Sequence, residues 1–240
     1  MSAAGALAGL SLLIVGDSHV SAPGSLATTL HDALAAEGAA VYTAGVCAAS
    51  PSHFLKGRST TCGRVLRGPD GKLSLKVKAS APKLEALLAD HAPDHVIFVF
   101  GDNMGGYRMK HLPRGFIETE VMAIVAALPE GTGCSWMGPP WGEEGTAYRK
   151  THARAAALNA ALREASAPCH YIDVQAATGT GTIDTVDGLH PKPAGYRMWA
   201  EVASAALVHA LAQASALAQA PASPPDHMPP DHMPEVFAAE

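Results

Sequence analysis

A serine that could act as a nucleophile stands near the start of the chain, directly after a short apolar run. Residues 11–15 are almost all apolar, and Gly16, Asp17 and Ser18 follow them. An apolar run that a glycine ends predicts a strand buried in a parallel sheet. In open α/β sheets the functional sites lie just past the carboxyl ends of such strands. Ser18 is therefore a candidate nucleophile, and the alternative is that Asp17 or Ser18 only caps the next helix.

An aspartate and a histidine late in the chain could supply the base that this serine needs. A serine hydroxyl is a weak nucleophile until a histidine, itself oriented by a carboxylate, removes its proton. Asp187 and His190 lie between the last predicted strand and the last predicted helix. Their spacing lets the Asp187 carboxylate reach Nδ1 of the imidazole and leaves Nε2 free for a serine, unless Asp187 simply starts that helix. His19 is adjacent to Ser18 and therefore has the wrong geometry to activate it.

Three groups at predicted strand ends could hold the oxyanion that acyl transfer creates. They are the backbone N–H of Ser18, the backbone at Gly45 after the second strand, and the side-chain amide of Asn103 after the third. Hydrogen-bond donors of this kind stabilise the tetrahedral transition state. The alternatives are a plain turn at Gly45 and a loop residue that bonds its own backbone at Asn103. The agreement of separate strand ends predicts one active site at a single edge of the sheet.

The elements that must position these residues alternate between strands and helices. Five strand signals separated by alanine-rich helical stretches predict a doubly wound α/β fold with a parallel sheet. The predicted strands cover about 11–15, 39–43, 96–100, 134–137 and 169–174, and the predicted helices cover about 24–37, 82–91, 116–128, 145–165 and 193–212.

Two stretches depart from this alternation. Residues 50–80 contain a Pro-Asp-Gly turn at 69–71 between two short strand signals, which predicts a hairpin-containing insertion. Such an insertion could be a substrate rim or surface decoration. Residues 214–240 are rich in Ala, Gln and Pro and repeat the string Pro-Pro-Asp-His-Met, so we predict a disordered tail after a domain that covers 1–213. The two tail histidines are expected to be solvated and not to form a metal site.

Composition limits the classes of partner. The 240 residues carry a formal net charge of −5 without a basic run, which argues against nucleic acid and anionic membranes. The apolar residues 3–15 lack a basic leader and run straight into the Ser18 turn, so we expect no signal peptide and no transmembrane segment, which favours the cytoplasm. The cysteine spacing does not suit zinc, so we expect no metal. Cys134 and Cys169 are either a disulfide or two buried small side chains.

These motifs, taken in order, resemble those of the SGNH, or GDSL-like, hydrolase superfamily. The resemblance rests on Gly-Asp-Ser at 16–18, the glycine at 45, Gly-x-Asn at 101–103 and Asp-x-x-His at 187–190, and it spans residues 12–200. It implies a flavodoxin-like three-layer sandwich with a five-stranded parallel sheet, and acyl hydrolysis or transfer without metal or cofactor. It places the nucleophile at Ser18, the oxyanion donors at Ser18, Gly45 and Asn103, and the other triad members at Asp187 and His190. Met104 departs from the family, which often has aspartate there.

Within that superfamily the chain is similar to bacterial members tied to extracellular polysaccharide modification, and to accessory proteins of bacterial cellulose synthesis. This similarity implies an esterase or acyltransferase acting on O-acyl groups, foremost O-acetyl, of a carbohydrate, with cellulose synthase-associated proteins as partners. It also implies a bridge between Cys47 and Cys62 and hence an oxidising compartment such as the periplasm, against the expectation from the missing signal peptide. Trp141 is a candidate sugar platform. The alternative function is a non-catalytic glycan-binding or scaffold module.

Overall fold

A mixed seven-stranded sheet forms the centre of the protein. The computed structural model describes residues 5–219, and the side chains of residues 5–213. The described residues form nine strands, seven of them in the central sheet. They are β1 (Ser11–Gly16), β2 (Ala40–Val46), β3 (Ser59–Thr60), β4 (Arg64–Arg67), β5 (Leu73–Lys76), β6 (Ala79–Ser80), β7 (His95–Val99), β8 (Gly133–Met137) and β9 (His170–Ile172). The central sheet has the order β5-β4-β2-β1-β7-β8-β9, and β3 pairs with β6 separately.

Five of the seven strands are parallel, as predicted, but the prediction of a five-stranded sheet is wrong. Strands β2, β1, β7, β8 and β9 pair in parallel. The antiparallel hairpin β4–β5 extends the sheet because β4 pairs along β2, for example Val65 with Gly45. Without this hairpin β2 would be an edge strand with unpaired backbone N–H and C=O groups. The hairpin predicted within 50–80 is therefore part of the sheet.

Helices cover the sheet on both faces, so that the protein has three layers. The helices are α1 (Thr29–Ala36), α2 (Pro51–Lys56), α3 (Leu84–His91), α4 (Arg114–Val125), α5 (His152–Ala165), α6 (Val174–Ala177) and α7 (Pro193–Gln219). Alternate residues of β1 enter opposite cores, because successive strand side chains point to opposite faces. Leu12 and Ile14 pack in the core that α1 and α7 cover. Leu13 and Val15 pack in the core that α2 to α5 cover.

The segment before α5 is irregular where sequence propensity predicts helix. The predicted helix 145–165 begins only at His152. Gly142 and Gly145 have φ of 70° and 72°, and Arg149 has φ of 58°, which helical backbone does not adopt. The ammonium of Lys150 is buried and bonds to groups outside the segment, so tertiary contacts override the local preference. We call residues 141–151 the rim segment.

Two disulfides join neighbouring parts of the fold, Cys47 to Cys62 and Cys134 to Cys169. The first connects the end of β2 to the hairpin region, and the second connects the amino ends of β8 and β9. Within residues 5–219, no helix is long and apolar enough to cross a membrane. Helix α7 extends beyond the predicted start of the tail at 214, and the Pro-Pro-Asp-His-Met repeats lie outside the described residues.

Candidate active site

Ser18 lies in a tight turn at the carboxyl end of β1. Residues Ser18–Val20 form a single 3-10 turn, and the Asp17 carboxylate caps it by accepting a hydrogen bond from the His19 N–H at 3.0 Å. A Cβ at position 16 would lie 2.5 Å from a methyl of Val20, so only glycine lets the chain turn this closely. The capping interpretation therefore holds for Asp17. Because Asp17 caps the turn, the Ser18 hydroxyl is available for contacts with other side chains.

Ser18, His190 and Asp187 form one hydrogen-bonded chain of side chains. The distance between Ser18 Oγ and His190 Nε2 is 2.9 Å, and that between His190 Nδ1 and Asp187 Oδ2 is 2.7 Å. The other Asp187 oxygen accepts hydrogen bonds from the backbone N–H groups of Leu189 and His190, at 3.0 and 2.8 Å. The loop between α6 and α7 thus fixes the carboxylate, and the carboxylate fixes the imidazole. This is the arrangement that a nucleophilic serine with a histidine base requires.

Asp187 is held in its ionised form. Its partial burial would raise the pKa of this carboxyl, but the hydrogen bonds from His190 and from the Leu189 N–H outweigh that effect and lower the pKa below its usual value. A carboxylate that stays charged at neutral pH can accept a hydrogen bond from the imidazole and so hold its orientation. The site is thus set for proton transfer from Ser18.

The structure places Gly45 away from the position expected for an oxyanion donor. Strand β2 is longer than predicted, so Gly45 lies inside it, between Gly16 of β1 and Val65 of β4. A Cβ on Gly45 would overlap the carbonyl oxygen of Val20. Glycine is required there because the Ser18 turn packs directly against the strand. The absence of a side chain at Gly45 lets the Ser18 turn pack against β2.

Ala48 lies just past the end of β2, three residues after Gly45. Its φ of 58° is left-handed, which is uncommon for a residue with a Cβ. Within residues 5–219, nothing accepts a hydrogen bond from the N–H groups of Ser18 and Ala48. Cys47 lines the same cleft as Ser18, and Ala49 bonds Asn103. The sequence did not point to Ala48, because the donor role was predicted for Gly45, three residues earlier.

Asn103 lies in the short 3-10 turn Asp102–Met104 after β7 and is exposed. Its amide nitrogen donates one hydrogen bond, to the carbonyl oxygen of Ala49 at 3.0 Å. A primary amide has two N–H hydrogens, so a second one is available for a substrate. The bond to Ala49 ties the turn after β7 to the turn after β2. Asn103 therefore belongs to the same cluster of strand ends as Ser18 and Ala48.

A buried polar network that sequence reasoning missed lies beneath these turns. Lys150 is 0% exposed, and its ammonium donates to Asp102 Oδ1 and to the carbonyl oxygen of Pro140, both at 2.8 Å. His19 Nε2 lies 2.9 Å from Asp102 Oδ2, and the Tyr107 hydroxyl donates to Asp102 Oδ1. The network joins the turn of Ser18 to the turn of Asn103. The sequence gives no sign of this network, because Lys150 has no partner close to it in the chain.

The charges in this network are set by their partners. Burial alone would raise the pKa of Asp102, but Lys150 and His19 outweigh it and hold the pKa well below its usual range. Burial, reinforced by Asp102, raises the pKa of Tyr107 well above its usual value. Burial also raises the pKa of Asp17, against the opposing effect of His19. Asp102 is therefore ionised at neutral pH and Tyr107 is neutral, and the Asp102 carboxylate forms a buried salt bridge with Lys150.

Trp141 does not occupy an exposed platform. It is half-buried, and its indole N–H donates to the carbonyl oxygens of Gln175 and Thr178, at 3.1 and 3.0 Å. The indole therefore anchors the rim segment to the loop after α6. An exposed aromatic ring beside the catalytic candidates is that of Tyr148, whose centroid lies 6.0 Å from that of His190.

A cleft of about 400 Å³ opens beside Ser18. His190 and the Cys47–Cys62 disulfide contribute to its walls, together with small residues from 21–25 and with Val186, Pro191, Pro193 and Tyr196. Among the described residues, no group of three or more His, Cys, Asp or Glu side chains could hold a metal ion.

Comparison of the sequence with characterised proteins assigns the chain to a family. Protein BcsX of Komagataeibacter xylinus is 35% identical over 223 residues, which cover 91% of this chain and 83% of that protein. The chain belongs to the BcsX family. No protein-family model matches it.

Solved structures show which fold this BcsX-family chain has. A lipase/acylhydrolase from Enterococcus faecalis matches with a TM-score of 0.59 at 18% identity, over 84% of this chain and 96% of the other. A GDSL-like lipase from Bacteroides thetaiotaomicron matches with a TM-score of 0.55 at 12% identity, over 83% and 88%. A protein described as an SGNH hydrolase from Slackia heliotrinireducens matches with a TM-score of 0.56 at 20% identity, over 82% and 98%. The expected SGNH hydrolase fold is confirmed.

Proposed function

We propose that the protein is a serine esterase or acyltransferase that works through an acyl-enzyme on Ser18. The observation that carries this proposal is the hydrogen-bonded chain from Ser18 Oγ through His190 to Asp187. His190 takes the hydroxyl proton as Ser18 attacks the ester carbonyl, and it returns that proton to the leaving alcohol. Water or an acceptor hydroxyl then attacks the acyl-enzyme, again with His190 as the base.

The oxyanion is held by the N–H groups of Ser18 and Ala48 and by the amide of Asn103. All three belong to turns at the carboxyl edge of the sheet, and the bond between Asn103 and Ala49 fixes two of those turns to each other. Gly45 has a packing role in this proposal, in place of the donor role expected from sequence. Donors fixed before the reaction need no reorganisation as charge develops.

The substrate we propose is an O-acyl carbohydrate, with acetyl as the acyl group. The sequence similarity to proteins of polysaccharide modification supports the carbohydrate, and membership of the BcsX family supports a role in cellulose or exopolysaccharide synthesis. Proteins associated with cellulose synthase are the partners that this role implies.

We propose an oxidising compartment as the place of action. All four cysteines form disulfides, Cys47 with Cys62 and Cys134 with Cys169. Such bonds persist outside the reducing cytosol. The periplasm therefore replaces the cytoplasm as the proposed compartment.

Replacement of Ser18 tests the nucleophile. We expect Ser18→Ala to lower kcat on p-nitrophenyl acetate by at least about 10³-fold, because the acyl-enzyme cannot form. Intact-mass measurement should show one fluorophosphonate adduct on the wild type and none on Ser18→Ala. Ser204→Ala, on α7 and remote from the cleft, is the matched control and should label like the wild type.

Two outcomes would contradict the proposal. Undiminished hydrolysis by pure Ser18→Ala would exclude Ser18 as the nucleophile. A wild type that forms no adduct yet binds polysaccharide would favour the non-catalytic glycan-binding module. To separate hydrolysis from transfer, the acyl-enzyme formed from an acetylated glucan should be followed by mass with and without an acceptor glycan.

A further inference from the structure

Tyr148 is an exposed aromatic residue that contacts the histidine of the active site. It is 39% exposed, and its ring meets that of His190 at 75° with centroids 6.0 Å apart. Tyr148 is not one of the residues that line the cleft beside Ser18. It therefore approaches His190 from outside the cleft. No step of the chemistry described above uses this ring.

The rim segment that carries Tyr148 is fixed on both sides of it. Before Tyr148, the Glu143 N–H donates to the carbonyl oxygen of Gly188, and the Glu143 carboxylate accepts hydrogen bonds from the Thr185 N–H and hydroxyl. After Tyr148, Lys150 is buried against Asp102. The rim segment is thus bound directly to the loop that carries Asp187 and His190. An aromatic ring held this firmly loses little conformational entropy when a ligand binds.

The backbone turns sharply directly after Tyr148. Arg149 has a left-handed φ of 58°, and its N–H closes a turn onto the carbonyl oxygen of Thr146 at 3.0 Å. This turn directs Lys150 inward while Tyr148 and Arg149 stay at the surface. Strained residues of this kind concentrate at ligand-binding sites. The exposed guanidinium of Arg149 adds hydrogen-bond donors next to the ring.

The position of His190 determines which half of an ester would meet Tyr148. In the proposed function, on which this inference rests, His190 Nε2 gives a proton to the leaving alcohol. The alcohol half must therefore lie against His190, while the acyl carbonyl lies at Ser18. When the ester is on a carbohydrate, the alcohol half is a sugar ring. Its C–H face can pack on an aromatic ring, and its hydroxyls can accept hydrogen bonds from a guanidinium.

We infer that Tyr148, with Arg149, forms a subsite for the pyranose ring that carries or accepts the acyl group. The subsite discriminates between alcohols and does not take part in the chemical step. Sugar esters therefore depend on Tyr148, whereas an ester of a small aliphatic alcohol does not. The subsite replaces Trp141, whose indole is half-buried.

The experiment compares two substrates and two kinds of variant. For Tyr148→Ala we expect kcat/KM on an acetylated cello-oligosaccharide to fall about three- to ten-fold, mainly through KM, the size expected for loss of one aromatic contact. On ethyl acetate, whose leaving alcohol is too small to cover the ring, the same variant should stay within about two-fold of the wild type. Tyr148→Phe keeps the ring and should retain the sugar-ester activity. Phe116→Ala removes an exposed aromatic residue of α4 that is remote from the rim segment and is the matched control.

A binding measurement keeps this inference separate from the proposed function. Calorimetry with cellohexaose on Ser18→Ala and on Ser18→Ala with Tyr148→Ala requires no turnover, and the second variant should bind about three- to ten-fold more weakly. Equal binding by both variants, or an equal loss of activity on both substrates, would overturn the subsite. Absence of p-nitrophenyl acetate hydrolysis and of fluorophosphonate labelling in the wild type would overturn the proposed function instead.

Discussion

The proposed function assigns oxyanion donors to two neighbouring turns, through Asn103 and Ala48. The amide of Asn103 uses one hydrogen to hold Ala49, which fixes the chain next to the left-handed Ala48. The second hydrogen and the Ala48 N–H are then available together. The donor pair therefore depends on backbone conformation at one residue and on a side chain at the other.

Removal of the Asn103 amide should reduce the chemical step more than binding. For Asn103→Ala we expect kcat on p-nitrophenyl acetate to fall by about 10²- to 10³-fold, the usual cost of losing one oxyanion donor. KM should change by no more than about three-fold, because a ground-state ester carries little charge on its carbonyl oxygen. Steady-state kinetics measures both quantities.

A companion variant controls for damage to the turn. Ala48→Gly keeps the N–H and removes only the strain of a left-handed alanine, so it should retain kcat and gain a few tenths of a kcal/mol in stability. If Asn103→Ala kept the kcat of the wild type, Asn103 would be a loop residue that serves only to bind Ala49.

At the scale of the elements, the buried Asp102–Lys150 pair joins parts of the chain that are distant in sequence. Asp102 follows β7, Lys150 precedes α5, and His19, which bonds Asp102, follows β1. A buried charge pair adds little net stability, because both ions lose their hydration, and its main effect is to fix how these elements are arranged. The turns of Ser18 and Asn103 and the rim segment therefore share one anchoring point.

Loss of Lys150 alone should destabilise the protein strongly. We expect Lys150→Met to cost about 3–5 kcal/mol in the free energy of unfolding, because Asp102 would remain as a buried charge without its main partner. Urea denaturation measures this change. Lys150→Met combined with Asp102→Asn should recover part of the loss, because the second substitution removes the unpaired charge. A single variant within 1 kcal/mol of the wild type would contradict the buried ion pair.

The parts of the site that sequence could predict are those with a local signal. Ser18, Asp187 and His190 follow recognisable strand ends or share a short motif, and parallel strands bring such ends to one edge of the sheet. Gly45 packs against the Ser18 turn inside β2, and residue type alone does not distinguish a glycine needed for such packing from one that approaches a ligand. Lys150 was missed because its partner lies 48 residues away.

The fold shows the same division. The alternation of strands and helices predicted the parallel sheet and its two covering layers, because strand and helix periods are local properties. The two added strands and the irregular rim segment were not predicted as such. The added strands depend on the pairing of β4 with β2, and the irregular rim segment depends on the buried contact between Lys150 and Asp102. Both are tertiary contacts, which a local sequence pattern does not contain.

At the scale of the whole molecule, the two disulfides lie at opposite edges of the sheet. Cys47–Cys62 is at the carboxyl edge, where it contributes to the cleft beside Ser18. Cys134–Cys169 joins the amino ends of β8 and β9, away from the site. The sequence left the pairing of Cys134 and Cys169 open, because a buried strand accepts either two thiols or a disulfide. The two bonds should therefore differ in their effect on activity.

Paired serine substitutions should separate these effects. Loop closure over 15 and 35 residues predicts losses of about 3 and about 4 kcal/mol in unfolding free energy for the first and second bond. We expect Cys47→Ser with Cys62→Ser also to lower kcat/KM on p-nitrophenyl acetate, because Cys47 immediately precedes Ala48. Cys134→Ser with Cys169→Ser should leave kcat/KM of the folded protein unchanged. Thermal unfolding and kinetics at a temperature where both variants are folded measure the two effects. Equal kinetics would show that the first bond does not support the site.

The hydrogen bond between Ser18 and His190 spans 172 residues of sequence. Ser18 is therefore synthesised long before His190. In the proposed function the serine needs this histidine as its base, so a nascent chain that ends before His190 would hold an inert serine. Esterase activity would then report that the loop before α7 has reached the first turn of the fold.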